Sequence, residues 1–265
     1  MRRSNEPRQT DAGGGFASVR GAYEQIGPDE FYTQHGLQYS NPHGAVLEST
    51  LREALTTWTD LVVAQKRLRV LDIACGGGEA SLALEGWWRT RLSSSGGGSS
   101  GSGGGSSKRD GSSKRDGSSV GLGTVAGKRK ERDGGLDGLE IVACDPYTAA
   151  LYEQKTGRPA EAWSFEDVAS GILDRGAPYD LVLASFCLHL LPPERLRATL
   201  EGLAKAARLL LVATPHKRGL AAIGEHSSWL AAAAPIVGVD KTSEGSTKHR
   251  VRVRLFRRPE AESVQ

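Results

Sequence analysis

The sequence has little cysteine and no long apolar run. Its three cysteines, among 265 residues, have no paired spacing, which argues against a disulfide framework and predicts a reducing compartment. No stretch approaches the roughly 18 consecutive apolar residues of a transmembrane helix, so we expect no membrane span. The N-terminal region is polar and lacks the apolar core of a secretory signal. These features predict a cytoplasmic protein and leave the nucleus and the mitochondrion open.

A strong excess of charge of one sign is also missing, since the formal net charge is only +3 at pH 7. The chain as a whole therefore lacks the electrostatic footprint of a nucleic-acid-binding protein. The basic excess is local, because residues 106–133 carry eight Lys/Arg and four Asp/Glu. We expect no nucleic-acid partner unless this basic segment supplies the contact.

Low complexity marks one long interruption of the chain. Residues 93–135 contain 14 glycines and 12 serines and repeat Gly-Ser-Ser-Lys-Arg-Asp in tandem. Such a composition cannot bury enough apolar surface to offset its conformational entropy, so we predict a flexible insert. Chain length favours one domain. We predict a domain over 21–256 that contains this insert, a disordered tail over 1–20 and a short C-terminal tail over 257–265.

The most informative stretch is Val70–Glu79, which reads VLDIACGGGE. An apolar run of strand length ends in three glycines and a helical pattern follows, which predicts a strand, a tight turn and a helix. Such a unit presents backbone N–H groups and a helix N-terminus to a ligand. The third glycine of a dinucleotide-binding turn is missing, because Ser81 stands there. Asp72 at the strand end suits a cationic ligand better than a pyrophosphate, since like charges repel, and a plain turn without a ligand is the alternative.

A second apolar strand ends in another acid, Asp145. In nucleotide-binding α/β sheets an acid at this position accepts hydrogen bonds from the ribose, about 20 residues after the glycine turn. Gly78 and Asp145 are 67 positions apart, and 24 apart once the 43-residue insert is removed. The restored spacing supports both the insert and a nucleoside site. Asp145 could equally cap the helix that follows, and the two roles are compatible.

The remaining periodicity predicts further elements of one sheet. Residues 162–168 read as a third strand turning into a helix, and residues 179–191 as a fourth strand with its exit. Further strands are expected over 209–214 and around 236–240. A helix is expected near His226–Ala234. Arg250–Arg257 alternates arginine with apolar residues, which predicts a half-exposed strand near a sheet edge with a solvated arginine face.

Taken in order, these motifs resemble those of class I S-adenosylmethionine-dependent methyltransferases, and in particular those of a fungal group within that superfamily. The matching segments are Asn41–His43, Leu71–Glu79, Asp145–Thr148, Ser185–Leu190 and Pro215–Lys217. The resemblance implies an α/β fold with a doubly wound, mostly parallel, seven-stranded Rossmann-like sheet whose last strand is antiparallel. It also implies S-adenosylmethionine as the cofactor.

The resemblance further implies cofactor-binding residues on the glycine turn, at the strand ends and on an N-terminal lid. These are Tyr32, Asp72, Ala74, Cys75, Gly76, Gly78, Asp145, Pro146, Glu166, Asp167 and Ser185. Glu166 and Asp167 are alternatives for contact with the adenine amino group, and Asp167 could equally be a helix cap. Tyr32 and Tyr39 are candidates to cover the cofactor. The aromatic segment 22–44 could instead be a loop packed on the sheet edge.

Methyl transfer is a direct displacement, so alignment of the nucleophile with the methyl group can supply most of the acceleration. A general base is needed only if the nucleophile must lose a proton. His43, His189 and His216 are the candidate bases by position, and each could instead have a structural or substrate-positioning role. The spacing of the three cysteines, Cys75, Cys144 and Cys187, matches no zinc pattern, so we predict neither a metal site nor a thiol nucleophile.

The motifs of several methyltransferase subtypes are absent. Ser185–Leu188 stands where amino-methylating nucleic-acid enzymes resembling this fold carry Asp/Asn-Pro-Pro-Tyr/Phe, and neither a Pro-Cys nucleophile nor a paired-glutamate loop is found. Elimination leaves O- or N-methylation of a small molecule. A catalytically idle, cofactor-binding regulator and a protein or RNA methyltransferase stay open, as does the oligomeric state. A nicotinamide-dependent oxidoreductase is disfavoured by Asp72 and Ser81.

Overall fold

The computed structural model describes residues 19–64, 66–95, 136–241 and 247–259. The helices are α1 Val19–Ile26, α2 Pro28–His35, α3 Gly44–Thr57, α4 Thr59–Val62, α5 Glu79–Ser95, α6 Ala149–Thr156, α7 Phe165–Ala169, α8 Pro193–Ala206 and α9 Lys217–Gly224. The strands are β1 Leu68–Ile73, β2 Leu139–Cys144, β3 Tyr179–Ser185, β4 Ala207–Thr214, β5 Leu230–Ala231, β6 Ile236–Lys241 and β7 Thr247–Arg257. Short 3₁₀ helices cover Gly36–Gln38, Ile172–Arg175 and Leu188–Leu190.

The low-complexity segments lie almost wholly outside the described residues. Helix α5 reaches Ser95, three residues into the predicted insert 93–135, and 96–135 is not described. Helix α1 begins at Val19, two residues before the predicted end of the N-terminal tail, and β7 includes Arg257 at the start of the predicted C-terminal tail. The flexibility of these segments stays a prediction.

Within the described residues the strands form one seven-stranded sheet in the order β2-β1-β3-β4-β7-β5, with β6 paired to β7. The first four strands of this order run parallel. Strand β7 runs antiparallel to β4, and β5 and β6 run antiparallel to β7. The predicted fold class, a doubly wound, mostly parallel sheet with an antiparallel last strand, is confirmed.

Both faces of the sheet are covered, which explains why its central strands are apolar throughout. In β3, Leu181 and Leu183 face a cluster built with α3, α4 and α5. Val182 and Ala184 face the opposite cluster, built with α7, α8 and α9. The sheet thus separates two helical layers and leaves the carboxyl ends of its parallel strands open at one edge. Ligands of open α/β sheets bind at that edge.

Two predicted elements are wrong. Residues 162–168 do not form a strand: Glu161 makes only an isolated bridge with Cys144, and α7 begins at Phe165. A helix forms here because Ser164 and Asp167 form a capping box that satisfies its first N–H groups. The helix expected near His226–Ala234 is also absent, and Leu230–Ala231 forms a short strand against β7 instead.

The arginine-bearing strand is not at an edge. Strand β7 lies between β4 on one side and β5 and β6 on the other. Arg252 is consequently buried, and its Nη1 donates to the carbonyl of Pro215 at 2.6 Å. Arg254 is half-buried and lies over the ring of Phe256 at 5.5 Å. The prediction of a solvated arginine face is therefore wrong at the centre of the strand.

None of the helices in the described ranges is long and apolar enough to cross a membrane.

Candidate ligand cleft

A cleft opens at the carboxyl ends of β1, β2 and β3 and is closed on its far side by the N-terminal helices. It encloses about 960 Å³ including its mouth. The sheet side contributes Ile73, Ala74, Cys75, Gly76, Glu79, Asp145, Pro146, Tyr147, Ser185, Phe186 and Cys187. The other walls are Pro28, Asp29, Tyr32, Tyr39, Asn41, Trp163, Ser164, Phe165, Glu166, Leu190, Leu191 and Arg195.

The turn after β1 requires glycine at two positions. Gly76 has a φ of 56° and Gly78 a φ of 84°, a region that residues with a Cβ seldom adopt. A Cβ on Gly78 would also lie 2.5 Å from Cγ2 of Thr156 in α6. Ala74 adopts a φ of 52° despite its Cβ, so the turn holds a non-glycine residue in a strained conformation of the kind found at ligand sites. Ala74, Cys75 and Gly76 line the cleft, whereas Gly78 is buried against α6 and does not.

Asp72 is not at the ligand surface. Its side chain is completely buried, Oδ2 accepts a 2.6 Å hydrogen bond from Ser81 Oγ, and Oδ1 has no partner among the described residues. Burial raises the pKa of Asp72 to about 7, against the opposing hydrogen bond from Ser81. The strand alternates its side chains, so Asp72 points at α5 rather than at the cleft. The predicted direct contact of Asp72 with a ligand is therefore wrong.

Asp145 has the position expected of a ribose-binding acid. It lies just after β2, is 7% exposed and lines the cleft. Oδ1 accepts hydrogen bonds from the N–H groups of Tyr147 and Thr148 at 2.8 and 2.9 Å. Oδ2 accepts a longer one, 3.3 Å, from the N–H of Gly76. The carboxylate thus caps the turn before α6 and still presents Oδ2 beside the glycine turn, so both predicted roles are sterically compatible. Pro146 lines the cleft next to it.

The structure separates the two acids that the sequence offered for the adenine contact. Asp167 is exposed and belongs to the capping box, where Oδ2 accepts from the N–H of Ser164 at 2.8 Å and these hydrogen bonds lower the pKa of Asp167. Glu166 lines the cleft and pairs with Arg195 of α8. Asp167 thus has the capping role that was the alternative for it, and Glu166 is the acid of the two that lines the cleft. Trp163 and Arg195 also line the cleft and were missed, because a tryptophan outside a motif and an arginine on a helix carry no local signal.

Aromatic side chains cover the cleft from the N-terminal side. Tyr32 of α2 exchanges a 2.6 Å hydroxyl–hydroxyl hydrogen bond with Tyr23 of α1. Its ring packs on Tyr39 at 5.3 Å and stacks on Tyr147 at 6.3 Å and 19°. Burial raises the pKa of Tyr32 and Tyr39, so both rings stay neutral. The segment is helical and covers the ligand side of the sheet, as expected of a lid, and the alternative of a loop on the sheet edge is wrong.

The three candidate bases gather beside the cleft but are not among its lining residues. His43 stacks on Phe186 at 5.3 Å and 11°, and meets His249 of β7 at 4.8 Å. The rings of His189 and His216 are 5.4 Å apart. The structure therefore brings His43, His189 and His216 to one side of the Ser185–Phe186 strand exit and adds His249, which the sequence gave no reason to include.

Burial keeps two of these imidazoles neutral. It lowers the pKa of His189 to about 4, with a further contribution from His216, and it lowers the pKa of His43. Nδ1 of each has no hydrogen-bond partner within the described residues. A neutral imidazole can accept a proton at pH 7. His43 is the better placed of the two, because it contacts Phe186, which does line the cleft.

The cysteines are buried free thiols. Burial raises the pKa of Cys144 to about 12 and also raises the pKa of Cys75 and Cys187, so none is a thiolate at neutral pH. Across the described ranges, no group of three or more His, Cys, Asp or Glu side chains has the geometry to hold a metal ion.

The cleft is negatively charged. Four carboxylates line it, those of Asp29, Glu79, Asp145 and Glu166, and Arg195 is the one cation in the described lining. Arg195 pairs with Glu166 and lies 3.9 Å from Asp29, and Lys155 pairs with Glu79 at 3.3 Å, so two negative charges remain in excess. A cationic ligand is favoured there, because opposite charges brought into a partly desolvated site attract.

The fold and the cleft define an α/β protein with a cleft at the carboxyl ends of a doubly wound sheet. No family model matches the chain. It is 31% identical over 208 residues to an uncharacterized protein of Schizosaccharomyces pombe, a match that covers 76% of each sequence. The chain belongs to the family of that fission-yeast protein, and this relative is fungal, as the motifs predicted.

Solved structures with a similar arrangement include two methyltransferases. Magnesium protoporphyrin IX methyltransferase from Synechocystis, with bound S-adenosylmethionine, is 15% identical, with 91% of this chain and 95% of that one covered and a TM-score of 0.47. The mitomycin 7-O-methyltransferase MmcR is 14% identical, with 78% of this chain and 54% of that one covered and a TM-score of 0.39.

Proposed function

We propose that the protein is an S-adenosylmethionine-dependent methyltransferase that transfers a methyl group to an oxygen or nitrogen of a small molecule. The observation that carries this proposal is the juxtaposition of Asp145 with the turn Ala74–Gly76 in an acidic, aromatic-capped cleft. Asp145 Oδ2 and the turn approach within 3.3 Å, which is the pairing that a nucleoside with hydroxyls and a nearby cationic tail would need.

The described residues fit this cofactor in three ways. The backbone of Ala74–Gly76 and Asp145 suit the ribose, and Glu79 and Asp29 supply negative charge for an ammonium and a sulfonium. Trp163, Phe165 and Leu190 offer apolar walls for a flat base, since aromatic and aliphatic surfaces bury such rings well. Bound there, S-adenosylmethionine would supply an electrophilic methyl group.

The chain's own residues would chiefly align the acceptor with the methyl group and exclude water from the reacting groups. The lid residues Tyr32 and Tyr39 exclude water from the cleft, and the Ser185–Phe186 strand exit faces the region where an acceptor would lie. His43, kept neutral by burial, stands behind Phe186 and is our candidate to hold the acceptor or to take its proton. Exclusion of water strengthens the electrostatic contacts inside the cleft.

A second candidate is a cofactor-binding regulator without turnover. It is favoured by one observation, that none of His43, His189 and His216 is among the described lining residues of the cleft. Such a protein would bind S-adenosylmethionine but methylate nothing in a broad acceptor screen. The cytoplasmic location and the single-domain organisation with a flexible insert stay predictions.

Replacing Asp145 with alanine is expected to weaken S-adenosylmethionine binding by about 10–100-fold, because hydrogen bonds to a charged acceptor contribute about 1.5–3 kcal/mol. Titration calorimetry of the wild type and the variant measures this directly. The variant should also lose about 1 kcal/mol of stability, since Tyr147 and Thr148 lose their capping acceptor.

Two further variants separate capping from ligand contact. Asp145→Asn keeps a capping oxygen and removes the charge, so it should stay close to the wild type in stability and bind weakly. Asp60→Ala, an exposed carboxylate of α4, should change neither property. No binding of S-adenosylmethionine or S-adenosylhomocysteine to folded wild type would refute the proposed function.

A further inference from the structure

A second, basic concavity lies beside the ligand cleft. It is a shallow recess, which we call the basic recess, lined by Pro215, His216 and Lys217 after β4 and by Thr247, Arg250 and Arg252 of β7. No carboxylate is among these described lining residues, in contrast to the four that line the cleft. The two neighbouring sites therefore carry opposite charge.

Within the described residues, the cations of the basic recess make no ion pair: none of the salt bridges there involves Lys217, Arg250 or Arg252. Arg252 is buried, and its side-chain hydrogen bond in this part of the chain goes to a neutral acceptor, the carbonyl of Pro215 at 2.6 Å. Burial of a guanidinium without a counter-charge is costly, and an anion bound in the recess would supply that charge.

Helix α9 adds to the positive potential. It begins at Lys217, and its N-cap residue, His216, makes no side-chain capping hydrogen bond. The first N–H groups of the helix are thus left without a side-chain acceptor, next to three basic side chains. The helix end is a supporting feature only, since Arg250 and Arg252 reach the same recess from a different element.

An apolar strip borders these cations. Val237 and Val239 of β6 are the cross-strand partners of Arg252 and Arg250, and opposed residues of an antiparallel pair share a face. Gly238 between them faces α3, since a Cβ there would meet Thr50. The valines therefore point to the other side, where they are 48% and 45% exposed.

The basic recess is one layer of side chains away from the cleft. Phe186 lines the cleft and His43 stacks on it. His216 lines the recess, its ring lies 5.4 Å from that of His189, and Leu190, the next residue along the chain, lines the cleft. The recess and this end of the cleft are therefore neighbours.

We propose that the basic recess binds the methyl acceptor, and that this acceptor is a small molecule with an oxyanion, a carboxylate or a phosphate, on an apolar body. Lys217 and Arg250 pair with the oxyanion, and the buried Arg252 adds positive charge next to them. Val237 and Val239 contact the apolar body. This assignment rests on the proposed function, because it names the substrate class of the same site. The exposed valines make a nucleic acid a poorer fit, since its contacts here would be phosphates.

The test uses the full chain saturated with S-adenosylhomocysteine and four probes: benzoate, phenyl phosphate, the neutral analogue benzamide, and inorganic phosphate. Fragments of this size bind at about millimolar concentration, so ligand-observed NMR titration is suitable. We expect benzoate or phenyl phosphate to bind at least about tenfold more tightly than benzamide and inorganic phosphate. Lys217→Gln combined with Arg250→Gln should remove that preference, and Val239→Asn should weaken the aromatic anions alone.

The matched control is Arg197→Gln combined with Lys205→Gln, which removes two exposed positive charges from α8 and should change nothing. All variants should bind S-adenosylmethionine as the wild type does. Failure of the folded wild type to bind it would refute the proposed function, whereas the titrations with the anions test the recess proposal. Equal binding of benzoate and benzamide, or full binding of both anions by the Lys217/Arg250 double variant, overturns the recess proposal. Tighter, strongly salt-dependent binding of an RNA oligonucleotide, lost in the same variant, overturns it in favour of nucleic acid.

Discussion

Replacing Asp72 with asparagine is expected to stabilise the folded protein above pH 7 and to have little effect near pH 4. Asp72 is completely buried, and burial raises its pKa from an ordinary 3.8 to about 7. Asparagine keeps the shape and a hydrogen-bonding partner for Ser81 Oγ, which now lies 2.6 Å from the carboxylate, but it never ionises. The gain above pH 7 is at most about 4 kcal/mol, the free energy that corresponds to this difference in pKa.

The direction in which the stability of the folded protein changes with pH follows from proton binding. A carboxyl group with a raised pKa in the folded state binds its proton more tightly there than in the unfolded chain. Its stabilising contribution is complete below pH 3.8 and is lost as the pH rises through about 7. Wild-type stability therefore contains a component that falls between these values, and Asp72→Asn lacks it.

His189 makes a contribution to the stability of the folded protein that changes with pH in the opposite direction over much of the same pH range. Burial lowers its pKa from 6.5 to about 4, so the unfolded chain binds the additional proton and stability rises with pH between these values. The two components oppose each other in the wild type. The informative quantity is thus the difference between wild type and Asp72→Asn, in which the His189 component cancels.

Urea unfolding without cofactor, measured at pH values from about 4 to 8, gives this difference directly. It should grow with pH and level off above about pH 7. A difference that is constant across the range would mean that Asp72 is ionised in the folded protein and compensated by its surroundings.

Replacing Gly202 with alanine is expected to destabilise the protein by about 1–2 kcal/mol. Gly202 lies in α8 where that helix crosses α7, and a Cβ there would be 2.4 Å from the carbonyl oxygen of Val168 and 3.0 Å from its carbonyl carbon. Backbone atoms cannot rotate away as a side chain can, so the two helices must separate. Overpacking of this kind costs about 1–3 kcal/mol, and the contact at 2.4 Å with backbone atoms places this site in the upper part of that range. Replacing glycine within a helix offsets up to about 1 kcal/mol of this cost.

Gly224→Ala provides the matched control, because Gly224 is also helical, at the end of α9. Its nearest contact would be an ordinary one, 3.8 Å to Cε1 of Phe256. We expect this variant to be neutral or slightly stabilised, while Gly202→Ala melts about 2–8 °C lower than the wild type. Equal melting temperatures for the two variants would show that α7 and α8 can separate without cost.

The Gly202 variant also reports on the ligand cleft. Helix α7 carries Glu166 and α8 carries Arg195, and these two residues pair at the cleft wall. Separating the helices should disturb that wall, so S-adenosylmethionine affinity should fall in Gly202→Ala and stay unchanged in Gly224→Ala. Calorimetry on folded protein, below the melting temperature of the weaker variant, separates this effect from unfolding.

Local patterns in the sequence were sufficient for the central sheet and for much of the cleft. The apolar runs ending at Ile73, Cys144 and Ser185 are strands, and the parallel arrangement brings their ends to one edge. The glycine turn, Asp145, Pro146, Glu166, Ser185 and the aromatic lid all reach that edge. Their positions could be predicted because strand ends and turns depend on neighbours in the chain, and because the 67-residue gap between Gly78 and Asp145 could be corrected for the insert. Their contact with a cofactor stays a prediction.

Other features depended on contacts between distant residues. Asp72 is one residue from the end of β1, yet it points at Ser81 rather than at the cleft. The strand expected at the start of 162–168 is missing, and the helix expected after it begins at Phe165. His43 meets His249, and Arg252 becomes buried against Pro215, only because β7 inserts beside β4. A sequence determines which residues can form a strand, a turn or a cap, but the direction and the partner of each side chain follow from which elements pack together. The acidic cleft was therefore foreseeable from the sequence, and the basic recess beside it was not.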